Sequence, residues 1–478
     1  MTLPILKPLI ANAMNQLIKA FQNENTYTEN GMVTNSSSLD ACVDLFFLAG
    51  ASRRLEESQI ESLIEDAFLD DPEIAMKIIF WARDVRGGAG ERRFFRIALK
   101  YMNHNFRDEL KKVLPLVPEY GRWDDLFIFG DGSVKEDVKE LIRQNLVEEQ
   151  NGLLAKWLPR KGPFANTIRK HLKLDPKSYR KLLVEHSQTV EQQMCAGEWT
   201  EVVYSKVPSQ AMHKYRKAFF RNDQTRFNQF IARVKKGEDK INAGAIFPYQ
   251  LYQAMAPDLY EKKLPDHIVA QWNALPNYME GSTQRLLPVC DTSGSMTGIP
   301  MDVSISLGLY IAERNESVFK DAFITFSHQP NFQYLKGDLY KRCIQLARSG
   351  HGYNTDLEAV FRVLLQKAVE FRVKPEEMPT KILIISDMEF DQAVQRDQSA
   401  IRMIRTRYEN AGYEVPGVIF WNVKGRMGNV PVRSNDKGTA LVSGFSPSIL
   451  KAILAGGGGF TPQSIMMETI MSDRYAAI

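Results

Sequence analysis

The rhythm of apolar residues changes once along this chain, near Gly281, and that change restricts the fold more than any other feature. Upstream, apolar residues recur at helical spacing, as in Leu3–Phe21, Leu39–Phe47, Ile60–Phe68, Pro72–Ala82, Phe94–Met102 and Tyr215–Val234. Short Gly, Pro, Asn or Asp breaks separate these runs, and no hydrophobic strand pattern intervenes. The pattern predicts an all-helical domain, residues 1–281, whose helix pairs stack as a HEAT-like solenoid or curved bundle without a fixed repeat period. Downstream, short β-rich runs alternate with helices: Leu286–Cys290, Ala322–Phe326, Lys381–Ser386, Gly417–Val423 and Ala440–Val442 lie between helical stretches such as Pro300–Arg314, Leu357–Phe371 and Ala400–Asn410. Such alternation predicts a second domain, residues 282–478, of α/β class, with a doubly wound, mostly parallel sheet. At 478 residues the chain exceeds what one core supports, which agrees with a multidomain α and α/β protein.

The first strand of the second domain runs into Asp291-Thr292-Ser293-Gly294-Ser295. Ligands of open parallel sheets bind outside the carboxyl ends of the strands, where this loop must lie. One carboxylate and two hydroxyls at this spacing can converge, with Gly294 permitting the tight turn. Hard oxygen donors of this kind suit Mg²⁺ or Mn²⁺ and not zinc or copper. Alone, the spacing also fits a serine-rich turn that caps the next helix. Thr355, in the polar loop Gly350–Asp356, and Asp387, after the apolar strand Ile382–Ile385, add two oxygen donors from the same sheet edge. Together, Asp291, Ser293, Ser295, Thr355 and Asp387 resemble the five-ligand metal-ion-dependent adhesion site of von Willebrand factor type A (vWA) domains. The resemblance implies an underneutralised ion that takes an outside anionic oxygen, usually an Asp or Glu of a protein partner. No general base, nucleophile pair or nucleotide loop is evident, so a binding module is expected and not an enzyme.

Charge is unevenly spread. Between Asn151 and Lys240, 19 Lys or Arg face 8 Asp or Glu, whereas the whole chain carries only +4. The candidate RNA contacts are Lys156, Arg160, Lys161, Arg169, Lys170, Lys173, Lys177, Arg180, Lys181, Lys206, Lys214, Arg216, Lys217 and Arg221, interleaved with Trp157, Phe164, Tyr179, Trp199, Tyr204, Tyr215, Phe219 and Phe220. Cations neutralise phosphates and rings stack on bases, as recognition of single-stranded RNA requires. A solvated helix face over core aromatics has the same composition. Upstream, Arg83 to Arg93 encloses a glycine-rich turn in which Arg86, Arg92 and Arg93 could contact an RNA backbone. It matches neither GxGxxG nor GxxxxGK[ST] and reads first as an interhelix turn.

The runs RDVRGGAGER, VPEYGRWDDL, AKWLPRK and YSKVPSQAMHKYRKAFFRND, with a vWA-type motif behind them, are similar to Ro-like proteins of plants, bacteria and large viruses. The layout resembles the Ro autoantigen (TROVE-type) family. That resemblance implies a ring of helical repeats closed by the vWA domain, passing single-stranded RNA ends and carrying structured noncoding RNA on its basic surface. An RNA-binding ribonucleoprotein scaffold is the expectation. The alternative is a metal-dependent protein–protein interaction module without an RNA role.

Cys42, Cys195, Cys290 and Cys343 form no CxxC pair and the seven histidines no HxH or HExxH, which argues against zinc and structural disulfides. Residues 1–25 lack a secretory pattern and no stretch is suited to span a bilayer, so a cytoplasmic protein without membrane partners is expected.

Overall fold

The computed structural model describes residues 25–478 except 131, 133, 188, 257–263, 327–329, 350–354, 393–399 and 456–458. The expected helix Leu3–Phe21 and most of the tetraglycine Gly456–Gly459 lie outside these residues.

Upstream of Gly281 the described chain is helical apart from one small hairpin. Helices start where a side chain can satisfy the first free amides. Asp40 accepts from the amide of Val43, and Asp71, followed by Pro72, from those of Glu73 and Ile74. The helices Ala41–Ala49, Glu57–Asp70, Pro72–Arg83 and Arg92–Asn105 pack on one another through Phe46, Phe80, Trp81 and Phe95, all buried. The expectation of an exclusively helical region is corrected by strands β1 (Asn25–Tyr27) and β2 (Val33–Asn35), which pair antiparallel. At three residues each they are too short to show alternation.

The second half forms a six-stranded sheet of β3 (Leu286–Cys290), β4 (Ala322–Thr325), β5 (Asn331–Tyr334), β6 (Lys381–Ser386), β7 (Gly417–Asn422) and β8 (Thr439–Ser443). The order is β5-β4-β3-β6-β7-β8, parallel throughout except for the edge strand β5. The central strands β3 and β6 are buried along their whole length, as expected of a sheet covered on both faces. The fold is thus a helical region followed by a doubly wound, mostly parallel sheet. Strand β5 and the helices Leu339–Arg348 and Pro462–Ile470 were not apparent from the apolar pattern.

One apolar core runs without a break from the helices into the sheet. A second, smaller core surrounds Tyr204, Phe219, Phe227 and Phe230 within the basic segment.

Candidate functional site

The chain leaves β3 toward one neighbour and returns on the other side as β6, so the crevice between their carboxyl ends is the topological switch point. Cys290 pairs in register with Ile385, and the amide of Asp291 donates to the Ile385 carbonyl (3.0 Å). This pairing sets the loops after the two strands side by side. Asp291 is fully buried; its carboxylate accepts from Ser386 Oγ (2.5 Å) and from the Ser293 amide (3.0 Å). Ser293 Oγ and Ser295 Oγ lie 3.1 Å apart. Asp387 is buried one residue beyond β6. Burial, and then the charge of Asp387, push the Asp291 carboxyl up to about 6. Asp387 is near enough for its charge to act on Asp291, and the two carboxylates with the surrounding hydroxyls make a set of hard oxygen donors of the kind that fits Mg²⁺ or Mn²⁺.

Thr355 is buried at the same edge. Its amide donates to Asp391 Oδ2 (2.8 Å) and its carbonyl accepts from the Asp391 amide (3.0 Å), tying it to the loop that carries Asp387. Most of the expected loop Gly350–Asp356 lies outside the described residues.

Several residues at this edge escaped the sequence reading. Lys424, beyond β7, places Nζ 3.4 Å from Asp387 Oδ2 and 3.0 Å from the Ser295 carbonyl. Glu389 is buried and held by Arg426 (2.6 Å) and Asn429 (3.1 Å). Between Asp387 and Glu389, Met388 adopts a left-handed φ of 65°, a costly conformation for a side chain of its size. The β1–β2 hairpin grips this loop: the Glu29 amide donates to Glu389 (2.6 Å), Asn30 Nδ2 to the Glu389 carbonyl (2.7 Å), and Thr28 Oγ1 to the Phe390 carbonyl (2.6 Å). The alternation Asp387-x-Glu389-x-Asp391 after an apolar strand was the available signal.

The glycine-rich run at Arg83–Arg93 is an interhelix turn. Arg86 and Gly87 amides bind the Asp84 carboxylate, Gly88 the Asp84 carbonyl, Ala89 the Trp81 carbonyl and Glu91 the Ala82 carbonyl. These amides are spent within the chain. A Cβ on Gly88 would lie 1.8 Å from the Trp81 carbonyl oxygen, so only glycine fits.

Of the other basic candidates, Arg86, Arg93, Arg160, Lys161, Lys170, Lys173, Lys177, Arg180, Lys181, Lys206, Lys214, Lys217 and Arg221 are exposed. Lys156 pairs with Glu191 (2.8 Å), Arg169 caps the Leu174 carbonyl, and Arg216 donates to the His213 carbonyl. Arg92 joins a cluster of aspartates described below. Helix Ser209–Asn222 shows Lys214, Lys217 and Arg221 at i, i+3 and i+7, one continuous exposed face, with the 46 % exposed ring of Phe220 beside it. Most of the interleaved aromatics do not face solvent. Tyr179, Tyr204 and Phe219 are core residues, Phe164 packs on Phe127, and Trp157 lies under the Arg122 guanidinium. The reason is the small apolar content of these helices, whose cores require the rings.

Elsewhere, Asp40, Cys42 and Asp70 bring ligand atoms within 4.8 Å of one another. Burial and the neighbouring aspartates push the Cys42 thiol up, so the thiolate a soft metal needs is disfavoured. Among the described residues no helix is long and apolar enough to cross a membrane.

Residues 286–474 match the family model described as "Domain of unknown function (DUF7788)". Residues 28–110 and 140–284 match that described as "Domain of unknown function (DUF2828)". Neither description is that of the TROVE family. An uncharacterized protein of Acanthamoeba polyphaga mimivirus is 28 % identical over 93 % of this chain and 87 % of its own length. The crystal structure of the Deinococcus radiodurans RO (RSR) protein aligns over 89 % of this chain and 93 % of its own, at 11 % identity and a TM-score of 0.36.

Proposed function

We propose that this protein is an RNA-binding scaffold that holds RNA on its basic helical surface and uses a Mg²⁺ or Mn²⁺ at the β3–β6 crevice to capture a partner's carboxylate. The observation that carries the RNA half is the exposed face of Lys214, Lys217 and Arg221 beside Phe220. Aligned cations of this kind neutralise successive phosphates, and the ring offers a stacking surface. The Ro-like motifs of the sequence point the same way. Asp291, Ser293, Ser295, Thr355 and Asp387 would hold the ion, which supplies a Lewis-acidic point for an external oxygen. The role proposed is binding and not turnover.

Anisotropy of a labelled single-stranded RNA against salt tests this. Binding should weaken as salt rises, and Lys214→Glu with Lys217→Glu should reduce the slope of log K against log[salt] by at least about 1.4, since each phosphate contact on a single strand contributes about 0.7. No binding at low salt, or a flat slope in the unaltered protein, defeats the proposal.

The inward placement of most aromatics favours a second reading, a metal-dependent protein-interaction module with solvated basic helices. Under that reading, Asp291→Ala or chelation removes a co-purifying protein from the native host while the unaltered protein carries no RNA.

A further inference from the structure

Three separate sequence runs meet in the helical region. Arg83 and Arg92 come from the glycine-rich turn, Arg122, Asp124 and Asp125 from VPEYGRWDDL, and Trp157 from AKWLPRK. With Arg96 they form one network. Asp125, fully buried, accepts from Arg83 Nε (2.8 Å), Arg96 Nε (2.8 Å), Arg92 Nε (3.4 Å) and the Arg122 amide (3.0 Å). Asp124 accepts from Arg122 Nε (2.8 Å) and Nη2 (2.6 Å), from Arg92 Nη2, and lies 3.4 Å from Arg96 Nη2. All four carboxylate oxygens are therefore already met by guanidinium or amide donors.

Four guanidiniums share two carboxylates, and the neighbouring pair Arg53–Glu91 (2.8 Å) is neutral, so the cluster keeps two uncompensated positive charges. The surplus is not buried. Side chains of Arg92, Arg96 and Arg122 are 41 %, 30 % and 34 % exposed, while Arg83 and Asp125 form the dry floor. Like charges are crowded: desolvation, together with Arg122 and Arg96, holds the Arg92 guanidinium below its usual range despite Asp124. Arg122 is fixed from the other side by lying 3.9 Å over the Trp157 ring. At Gly121 a Cβ would lie 2.7 Å from Asp125 Oδ2, so the turn closes on the carboxylate only because no side chain is there. Planar guanidiniums fixed in advance, with excess charge facing solvent, are built to receive an oxyanion with two or three oxygens.

We propose that Arg92, Arg96 and Arg122 form a phosphate-binding site, and that its occupant is the phosphodiester backbone of bound RNA. The choice of RNA rests on the function proposed above; the phosphate chemistry does not. Asp124 and Asp125 act as positioning residues that orient the guanidiniums without neutralising them.

The test uses the full chain and two probes, a labelled 12-nucleotide single-stranded RNA and inorganic pyrophosphate. Arg92→Gln, Arg96→Gln and Arg122→Gln should each lower the salt slope for the RNA by about 0.7, whereas Arg96→Lys should keep the slope. Pyrophosphate should raise the melting midpoint of the unaltered protein and not that of the triple Gln variant. If RNA binds every variant with an unchanged slope and pyrophosphate protects none, the network is purely structural: this inference falls and the RNA reading stands. If the unaltered protein ignores RNA but is protected by pyrophosphate through these arginines, the phosphate site stands with a small-molecule occupant and the RNA reading falls. Failure of both probes on the unaltered protein removes both.

Discussion

Asp291 and Asp387 are buried together in a place that favours positive charge, and a tethered cation already reaches it. The ammonium of Lys424 contacts Asp387 Oδ2 at 3.4 Å and the Ser295 carbonyl at 3.0 Å. A divalent ion bound through the same carboxylate would have to displace or share this contact, so Lys424 would set how tightly such an ion is held. Replacing Lys424 by Met keeps the aliphatic stem and removes the charge. A partly buried pair of this kind contributes about 1 kcal/mol, so Lys424→Met should tighten Mn²⁺ binding roughly fivefold in calorimetry or Mn²⁺ EPR titration. Equal or weaker binding would show that the lysine does not compete. The two aspartates and both serines were legible in the sequence because each lies within a few residues of an apolar strand end. Lys424 was not, since it neighbours Asp387 only through the order β3-β6-β7. Glu389 was hidden for a related reason: its partners include Arg426, Asn429 and the distant Glu29 amide.

At the scale of elements, the basic helices Ser209–Asn222 and Gln224–Lys235 stand on their own small core, and two histidines sit at its margin. Burial, then the charge of Arg216, lowers both His213 and His267 to about 4, and His213 Nδ1 is buried without a partner. These histidines are neutral in the fold. In the unfolded chain they take up protons below about pH 6.5, so between pH 6.5 and 4 the unfolded state binds more protons and stability is lost as pH falls. Asp44, in helix Ala41–Ala49, behaves oppositely: burial raises its carboxyl to about 6, so its ionisation penalty is relieved on acidification. Acid should therefore loosen the basic pair of helices first. Hydrogen exchange corrected for intrinsic rates should show protection of residues 209–235 falling between pH 7 and 5 while β3 and β6 stay protected. Uniform protection across that interval would contradict the assignment. The aromatics of this region show why composition alone could not decide between a stacking surface and a core. Tyr204 and Phe219 are among the rings interleaved with the cations, yet in helices this poor in Leu and Ile they are needed as core. The β1–β2 hairpin left no periodic signal at all, because its order comes from bonds to the β6 loop and to Val430 and not from its own pattern.

On the scale of the whole molecule, the change of rhythm at Gly281 marks a change of architecture but not a gap in the core. Helix Pro462–Ile470 packs on β8 and on the helices Ala41–Ala49 and Pro72–Arg83, so the C-terminal segment belongs to both halves. It ends in a clamp. Arg474 binds Asp84 through Nε (2.5 Å) and Nη2 (3.0 Å), Tyr475 donates to the same carboxylate (3.2 Å), and Tyr120 donates to the Arg474 carbonyl (2.6 Å). Asp84 is fully buried and also organises the glycine-rich turn, so the clamp joins the C-terminus to the segment that presents Arg92. With one continuous core and a charge pair across the halves, the two should unfold together. Breaking a buried ion pair from one side costs roughly 3 kcal/mol, because the remaining carboxylate stays out of water. Arg474→Ala should lower the unfolding free energy by that amount, seen as a lower urea midpoint at unchanged m, with fluorescence and circular dichroism following one shared transition. Two separable transitions in the unaltered protein would mean that the halves fold independently. A loss below about 1 kcal/mol would mean that Tyr475 and the turn amides alone satisfy Asp84.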